Sequence, residues 1–210
     1  MGAGMSDLAL LFVGAVLLVN GLVFLERVDG KAAIPVNLLT GGLLLFSALL
    51  QILEVDTTSP DYAATAFGAA GLSVFGFTYL TVGGNSLFGG SGTALGWFCV
   101  WAAGIAAVLA IVNFTLTGDV NMAWLWSAWA VLFAAFFIAL TSNAVYLTKA
   151  AGVLAILQSV STATIPALLR IGGAWESTSV LLIAIVQIAV VATYIAAAMY
   201  WRRAPADTMA

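Results

Sequence analysis

Residues 63–82, AATAFGAAGLSVFGFTYLTV, contain no charged side chain. As a helix, about 20 such residues cover the roughly 30 Å hydrocarbon layer of a bilayer. The run therefore predicts a membrane-spanning helix. Its centre, Phe75-Gly76-Phe77-Thr78-Tyr79-Leu80, places two phenylalanine rings, a hydroxyl and a phenol at membrane depth. Phe75 and Tyr79 are four residues apart and share one helix face. Gly76 between them lets a neighbouring helix or a small molecule approach the backbone. Two readings follow from this face: aromatic packing between helices, or the wall of a narrow path for a small polar solute.

The same signal repeats outward from this stretch. Apolar runs of spanning length cover 8–25, 34–53, 63–82, 95–116, 122–147, 150–171 and 180–201, which predicts seven transmembrane helices and an all-α integral membrane protein. The short connections carry turn residues: Val28-Asp29-Gly30, Thr57-Thr58-Ser59-Pro60-Asp61, Gly89-Gly90-Ser91-Gly92, Thr117-Gly118-Asp119 and Gly172-Gly173. No soluble segment is left over, so residues 1–210 are expected to form one transmembrane domain. Composition agrees: 63% of residues are hydrophobic and 7% charged, with mean hydropathy +1.14, against about 25% charged in soluble domains. Pro166 is expected to kink the sixth helix, and Gly41-Gly42, Gly68, Gly71 and Gly104 to mark close helix contacts.

The basic residues give an orientation. Arg27, Lys31, Lys149, Arg202 and Arg203 fall on one side, and Arg170 alone falls on the other. Cytoplasmic loops retain Lys and Arg, so the N-terminus is expected outside and the C-terminus in the cytoplasm. No basic tract exists to hold nucleic acid, and the N-terminus lacks the basic region of a cleaved signal.

Several functions are disfavoured by missing chemistry. The chain has no histidine and one cysteine, Cys99, so neither a metal site, a cofactor nor a histidine-based acid sensor is expected. A retinal Schiff base needs a lysine in the last helix, and none precedes Arg202. No phosphate-binding loop or hydrolytic constellation occurs, and an enzyme is not expected. Asp7, Glu26, Glu54, Asp119 and Glu176 lie at or beyond the expected helix ends, where they read as solvated or capping groups. Ion-coupled transport usually leaves carboxylates inside the spans, which weakens that reading.

The residues also carry a family resemblance. Phe75-Gly76-Phe77-Thr78-Tyr79-Leu80 resembles the third-helix signature of the AmiS/UreI family of amide transporters and urea channels. Leu11-Phe12-Val13-Gly14, Asn20-Gly21, Val28-Asp29-Gly30-Lys31, Asn37 and Gly41-Gly42 are similar to its first hairpin. So are Trp126-Ser127-Ala128-Trp129-Ala130-Val131-Leu132-Phe133, Leu154-Ala155-Ile156-Leu157-Gln158 and Ile165-Pro166-Ala167 to later segments. The resemblance implies a homohexamer in a bacterial inner membrane, each protomer a six-helix channel bundle of three hairpins with its own pore. It implies passive movement of urea or short aliphatic amides such as acetamide, supplying a cytoplasmic amidase or urease. By matching position, the constriction would involve Phe75 and Tyr79, then Trp126, Trp129 and Phe133, then Leu10, Val13 and Leu17.

Spacing supports that choice independently. Trp126, Trp129 and Phe133 occupy one helix face, as do Leu10, Val13 and Leu17, with Asn20 continuing the stripe. Thr78, Asn20 and Gln158 add polar groups that can replace part of an amide's water. The departures are equally specific. Ala139 and Gln158 stand where the gated urea channel has buried glutamates, which argues against its acid gating, and Phe133 stands for an expected tryptophan. The seventh helix lies outside the resemblance; its Gln187 and Tyr194 are seven apart and available to a neighbour. Alternatives are a proton-coupled amide carrier and a non-conducting scaffold or sensor subunit, whose stripes would merely pack.

Overall fold

The computed structural model describes residues 2–204, and over them the chain forms seven helices long and apolar enough to cross a membrane. They are α1 (Gly2–Phe24), α2 (Ile34–Glu54), α3 (Tyr62–Phe88), α4 (Thr93–Thr117), α5 (Val120–Thr141), α6 (Val145–Ile171) and α7 (Val180–Arg203). Helix α1 starts earlier than hydropathy suggests, and α3 runs on past 82 to Phe88. The largest difference is the turn between α5 and α6, expected near 147–150 but found at 142–144. Ser142 turns extended, with φ −94° and ψ 149°, and ends the helical ladder at Thr141-Ser142-Asn143, a polar cluster that is the local signal for this turn. Gly89 and Gly118 close α3 and α4 in the left-handed conformation, at φ 71° and 72°, the usual glycine role at a helix end.

Helices α1 to α6 stand in chain order around a ring, each packed on the next, and the ring closes by α6 against α1. Between lipid-facing surfaces the hydrophobic effect supplies little helix attraction, so close packing over small residues does the work. A Cβ at Gly41 would lie 2.9 Å from the Gly76 carbonyl where α2 meets α3. One at Gly21 would lie 2.8 Å from the Gly152 carbonyl where α1 meets α6. Gly71 is also tightly covered, whereas Gly42 and Gly104, expected as contacts, face open space. Those two sit on the outward side of their helices, a distinction that local sequence does not carry.

The break in α6 lies before Pro166. Residues Ser159–Thr164 widen into π-type turns, and Pro166 follows in the second position of the regular segment Ile165–Ile171. Proline cannot donate to the carbonyl four residues back and its ring crowds it, which the wider turn relieves. Thr164 Oγ1 takes up the slack by donating to the Ser159 carbonyl at 2.8 Å. The widened turn fits only against a residue without a side chain, and Gly14 of α1 is there.

Helix α7 lies outside the ring against α5 and α6. It buries Ile183, Gln187 and Val190. Gln187 Nε2 donates to the Ser161 carbonyl at 3.4 Å, so it faces α6 of its own chain and not a neighbour, and Tyr194 packs half-buried against the core. The remaining surface of α7 exposes Leu181, Leu182, Ile185, Ile188 and Ile195, as befits a lipid-facing wall.

Candidate functional site

Inside the ring, Phe75 of α3 is the hub of an aromatic column. Its ring centroid lies 5.0 Å from Trp129 in an edge-on arrangement, 5.1 Å from Phe133, 6.0 Å from Trp126 and 6.1 Å from Tyr79. Trp126 and Trp129 meet edge to face at 4.7 Å. Such geometries suit the ring quadrupoles. The stripes expected on α3 and α5 therefore do meet, and all five rings are buried. From α1, Val13 and Leu17 join the same core, while Leu10 is partly exposed and lines the cavity above it.

The polar groups divide into satisfied and unsatisfied. Trp129 Nε1–H donates to Thr162 Oγ1 at 2.9 Å, and Thr162 donates to the Gln158 carbonyl at 2.7 Å. This chain fixes the indole against the widened turn of α6. Gln158 Nε2 donates to the Ala128 carbonyl at 3.0 Å. Its Oε1 and the Tyr79 hydroxyl are buried with no hydrogen-bond partner. Most buried polar groups are paired, and an unpaired one costs about 1–3 kcal/mol. Thr78 is turned back onto its own helix, donating to the Val74 carbonyl at 2.7 Å. Asn20 is engaged with Asn37 of α2 in a reciprocal amide pair at 2.9 and 2.8 Å.

Above the column, at the end of the bundle where α1, α3 and α5 begin, a cavity of about 320 Å³ opens. Phe75, Trp126 and Trp129 contribute to its lining, with Leu72, Leu109 and Met122 around them. Gly71 makes room for the Trp126 indole, since any side chain there would collide with that ring. The polar part of the lining is Ser6, Asp7, Gln51, Asn113, Thr117, Asp119 and Arg170. Arg170 Nε–H donates to Asp7 Oδ1 at 2.5 Å, and Nη1 lies 3.8 Å from Asp119 Oδ2. Asp119 also caps α5 by accepting from Met122 N–H at 2.9 Å and accepts Trp175 Nε1–H at 3.0 Å. Asp7 is thus a cavity-lining ion-pair partner and not a solvated end group. Sequence reasoning missed this cluster, although Arg170 was its signal as the one base on the far side of the membrane.

The two ends of the bundle differ in charge. Glu54, Asp56, Asp61 and Glu176 stand on the cavity end beside Asp7 and Asp119, with Arg170 as the one base among the described residues there. Asp56 accepts from the Thr58 backbone N–H and then its hydroxyl, both at 2.8 Å, which holds its carboxyl below the usual range. The opposite end carries Arg27, Lys31, Lys149, Arg202 and Arg203 against Glu26 and Asp29. There Lys149 Nζ lies 3.6 Å from Glu26 Oε2, and Phe24 meets Phe136 edge to face at 5.3 Å.

The family model described as AmiS/UreI family transporter matches residues 5–174. The chain belongs to the AmiS/UreI family. A Mycolicibacterium smegmatis protein named as an amidate substrates transporter is 37% identical over 173 residues, 82% of this chain and 79% of the relative. The Rhodococcus erythropolis protein named as transporter AmiS2 is 36% identical over 174 residues, 83% of this chain and 82% of the relative. Among solved structures, the Helicobacter pylori urea channel in its closed state superposes with TM-score 0.68 at 30% identity, covering 79% of this chain and 96% of that one. The AmiS/UreI match ends before Val180, so α7 lies outside the matched part of the chain.

Proposed function

We propose that this protein is a passive channel for short aliphatic amides and urea, each protomer conducting through the centre of its own six-helix ring. One observation carries the reading. The Tyr79 hydroxyl in the buried aromatic column, and the side-chain amide oxygen of Gln158 one turn before Thr162, which holds Trp129, are satisfied by no protein group. Left unpaired, each costs about 1–3 kcal/mol, which a passing amide relieves. An amide is flat and dipolar, so the rings of Phe75, Trp126, Trp129 and Phe133 contact its faces. Its carbonyl accepts from the Tyr79 hydroxyl and its N–H donates to Gln158 Oε1. Val13 and Leu17 complete the wall from α1. Asn20 contributes further in by exchanging its Asn37 partner for the substrate, and Thr78 shapes the wall beside Tyr79. Ions are excluded because a charge loses far more than a neutral amide on leaving water.

The relatives' names, an amidate substrates transporter and a urea channel, support this substrate class. The charge difference between the two ends supports an inner-membrane protein with its cavity outside and C-terminus in the cytoplasm. In that orientation the column delivers amides to a cytoplasmic amidase or urease, and the protein is a transporter and not an enzyme. We assign it a homohexameric assembly, with α7 a peripheral addition to each protomer. Neither histidine nor a carboxylate stands in the column, so conduction is independent of acid gating and of a proton gradient.

Stopped-flow light scattering of proteoliposomes under acetamide and urea gradients, at neutral and acidic pH, tests the reading. Entry well above that of protein-free liposomes at both pH values, without an ion gradient, is the expected result. Entry no faster than in protein-free liposomes sinks it.

A further inference from the structure

The aromatic column makes no use of the charged cluster at its mouth. Arg170, Asp7, Asp119 and Gln51 line one cavity, directly above Phe75, Trp126 and Trp129. A guanidinium has five N–H donors. The Nε–H is taken by Asp7, and Nη1 stands 3.8 Å from Asp119, too far for a hydrogen bond. The guanidinium also lies over the Trp175 ring at 5.9 Å, and its Nη groups, which hold no hydrogen bond among the described residues, belong to a side chain that lines the cavity. Acceptors remain as well. Asp7 Oδ1 takes Arg170, and each carboxylate offers about four lone-pair sites. Gln51 donates to Ser6 Oγ while its own Oε1 is buried with no partner. Gln51 lines the same cavity, and a turn of its side chain brings that oxygen to a ligand bearing N–H groups.

We propose that Arg170, Asp7 and Gln51 form a capture site for the primary carboxamide group, including urea, at the entrance of the column. The carbonyl oxygen accepts from the Arg170 guanidinium, and the NH2 group donates to the Asp7 carboxylate and to Gln51 Oε1. Asp119 positions Arg170 from the far side and ties it to α5 and to Trp175. The cluster also selects by charge. One guanidinium stands between two carboxylates, on an end bearing Glu54, Asp56, Asp61 and Glu176. A carboxylate anion of the same shape, the product of amide hydrolysis, meets net repulsion there and is refused. This assignment rests on the channel reading, which it extends from the column to the selection of its substrate.

The test is the concentration dependence of radiolabelled acetamide entry into proteoliposomes for the wild type, Arg170→Gln, Arg170→Lys and Asp7→Asn. Losing a charge-assisted hydrogen bond at a capture site is expected to raise the half-saturating concentration roughly tenfold in Arg170→Gln and Asp7→Asn, with the maximal rate kept within about twofold. Arg170→Lys, which keeps the charge but loses the planar fork, falls between. Acetate does not compete with acetamide in the wild type but does so in Asp7→Asn, where Arg170 has lost a partner. That gain of inhibition cannot come from a poorly folded variant. Unchanged half-saturation in all three variants, or a fall in maximal rate alone, overturns the proposal. So does a wild type that conducts acetamide without saturating, which leaves the channel standing. A wild type that admits no acetamide removes the channel reading itself.

Discussion

At the scale of single residues, Tyr79 and Trp129 separate packing from conduction. The Tyr79 hydroxyl is buried without a partner, so Tyr79→Phe removes a desolvated group and keeps the ring against Phe75. The melting temperature in detergent is expected to stay level or rise, while urea entry falls several-fold. A variant that melts earlier and conducts normally would make the hydroxyl structural. Trp129 is held by rings on two sides and by its bond to Thr162. Trp129→Phe loses that one hydrogen bond, about 1 kcal/mol. Trp129→Ala loses the ring contacts as well, about 3–5 kcal/mol, and opens the column. Propionamide entry is expected to rise relative to urea in the alanine variant, read as a ratio of rates in the same liposomes.

At the scale of elements, the ring depends on where α6 meets α1. Gly21 and Gly152 oppose each other's carbonyls at 2.8 Å from an added Cβ, and Gly14 accommodates the widened turn around Thr164. Gly21→Leu must push the two helices apart, and overpacking of this kind costs roughly 1–3 kcal/mol. Early unfolding by circular dichroism, together with loss of amide entry, is expected, because α6 carries Gln158 and Thr162. Gly104→Ala meets nothing within 4 Å and gains helix propensity, so its stability stays level or improves by up to about 1 kcal/mol. Equal effects from the two changes would refute the assignment of the α1–α6 seam. Glu26 shows another local constraint. It takes φ 58° just beyond α1, a left-handed position usually given to glycine, and pairs there with Lys149.

At the scale of the whole molecule, orientation is open to direct measurement. Cys99 is fully buried, so an impermeant maleimide reacts in effect only with an introduced, exposed cysteine. Asp56→Cys is expected to be labelled from outside intact cells, and Arg27→Cys only after permeabilisation. The reverse pattern would place the cavity in the cytoplasm. In the proposed orientation, the carboxylates that mark the outer end of the bundle also surround the mouth of the cavity.

Seven spans and their order were legible from runs of apolar residues, because a bilayer core demands about 20 uncharged helical residues wherever it is crossed, and the family from motifs such as Phe75-Gly76-Phe77-Thr78-Tyr79-Leu80. The aromatic stripes on α3 and α5 were legible because helical spacing puts Phe75 over Tyr79 and Trp126 near Trp129 on one face. What each face meets was not. The same periodicity placed Asn20 and Gln187 with available polar groups, yet Asn37 and Ser161 engage them. It made Gly42 and Gly104 look like Gly41 and Gly71. Nor did it bring Asp7 beside Arg170, which are 163 residues apart in the chain. Local periodicity follows from backbone geometry within one helix. The partner across a seam depends on how six helices close into a ring, and only the tertiary structure decides that.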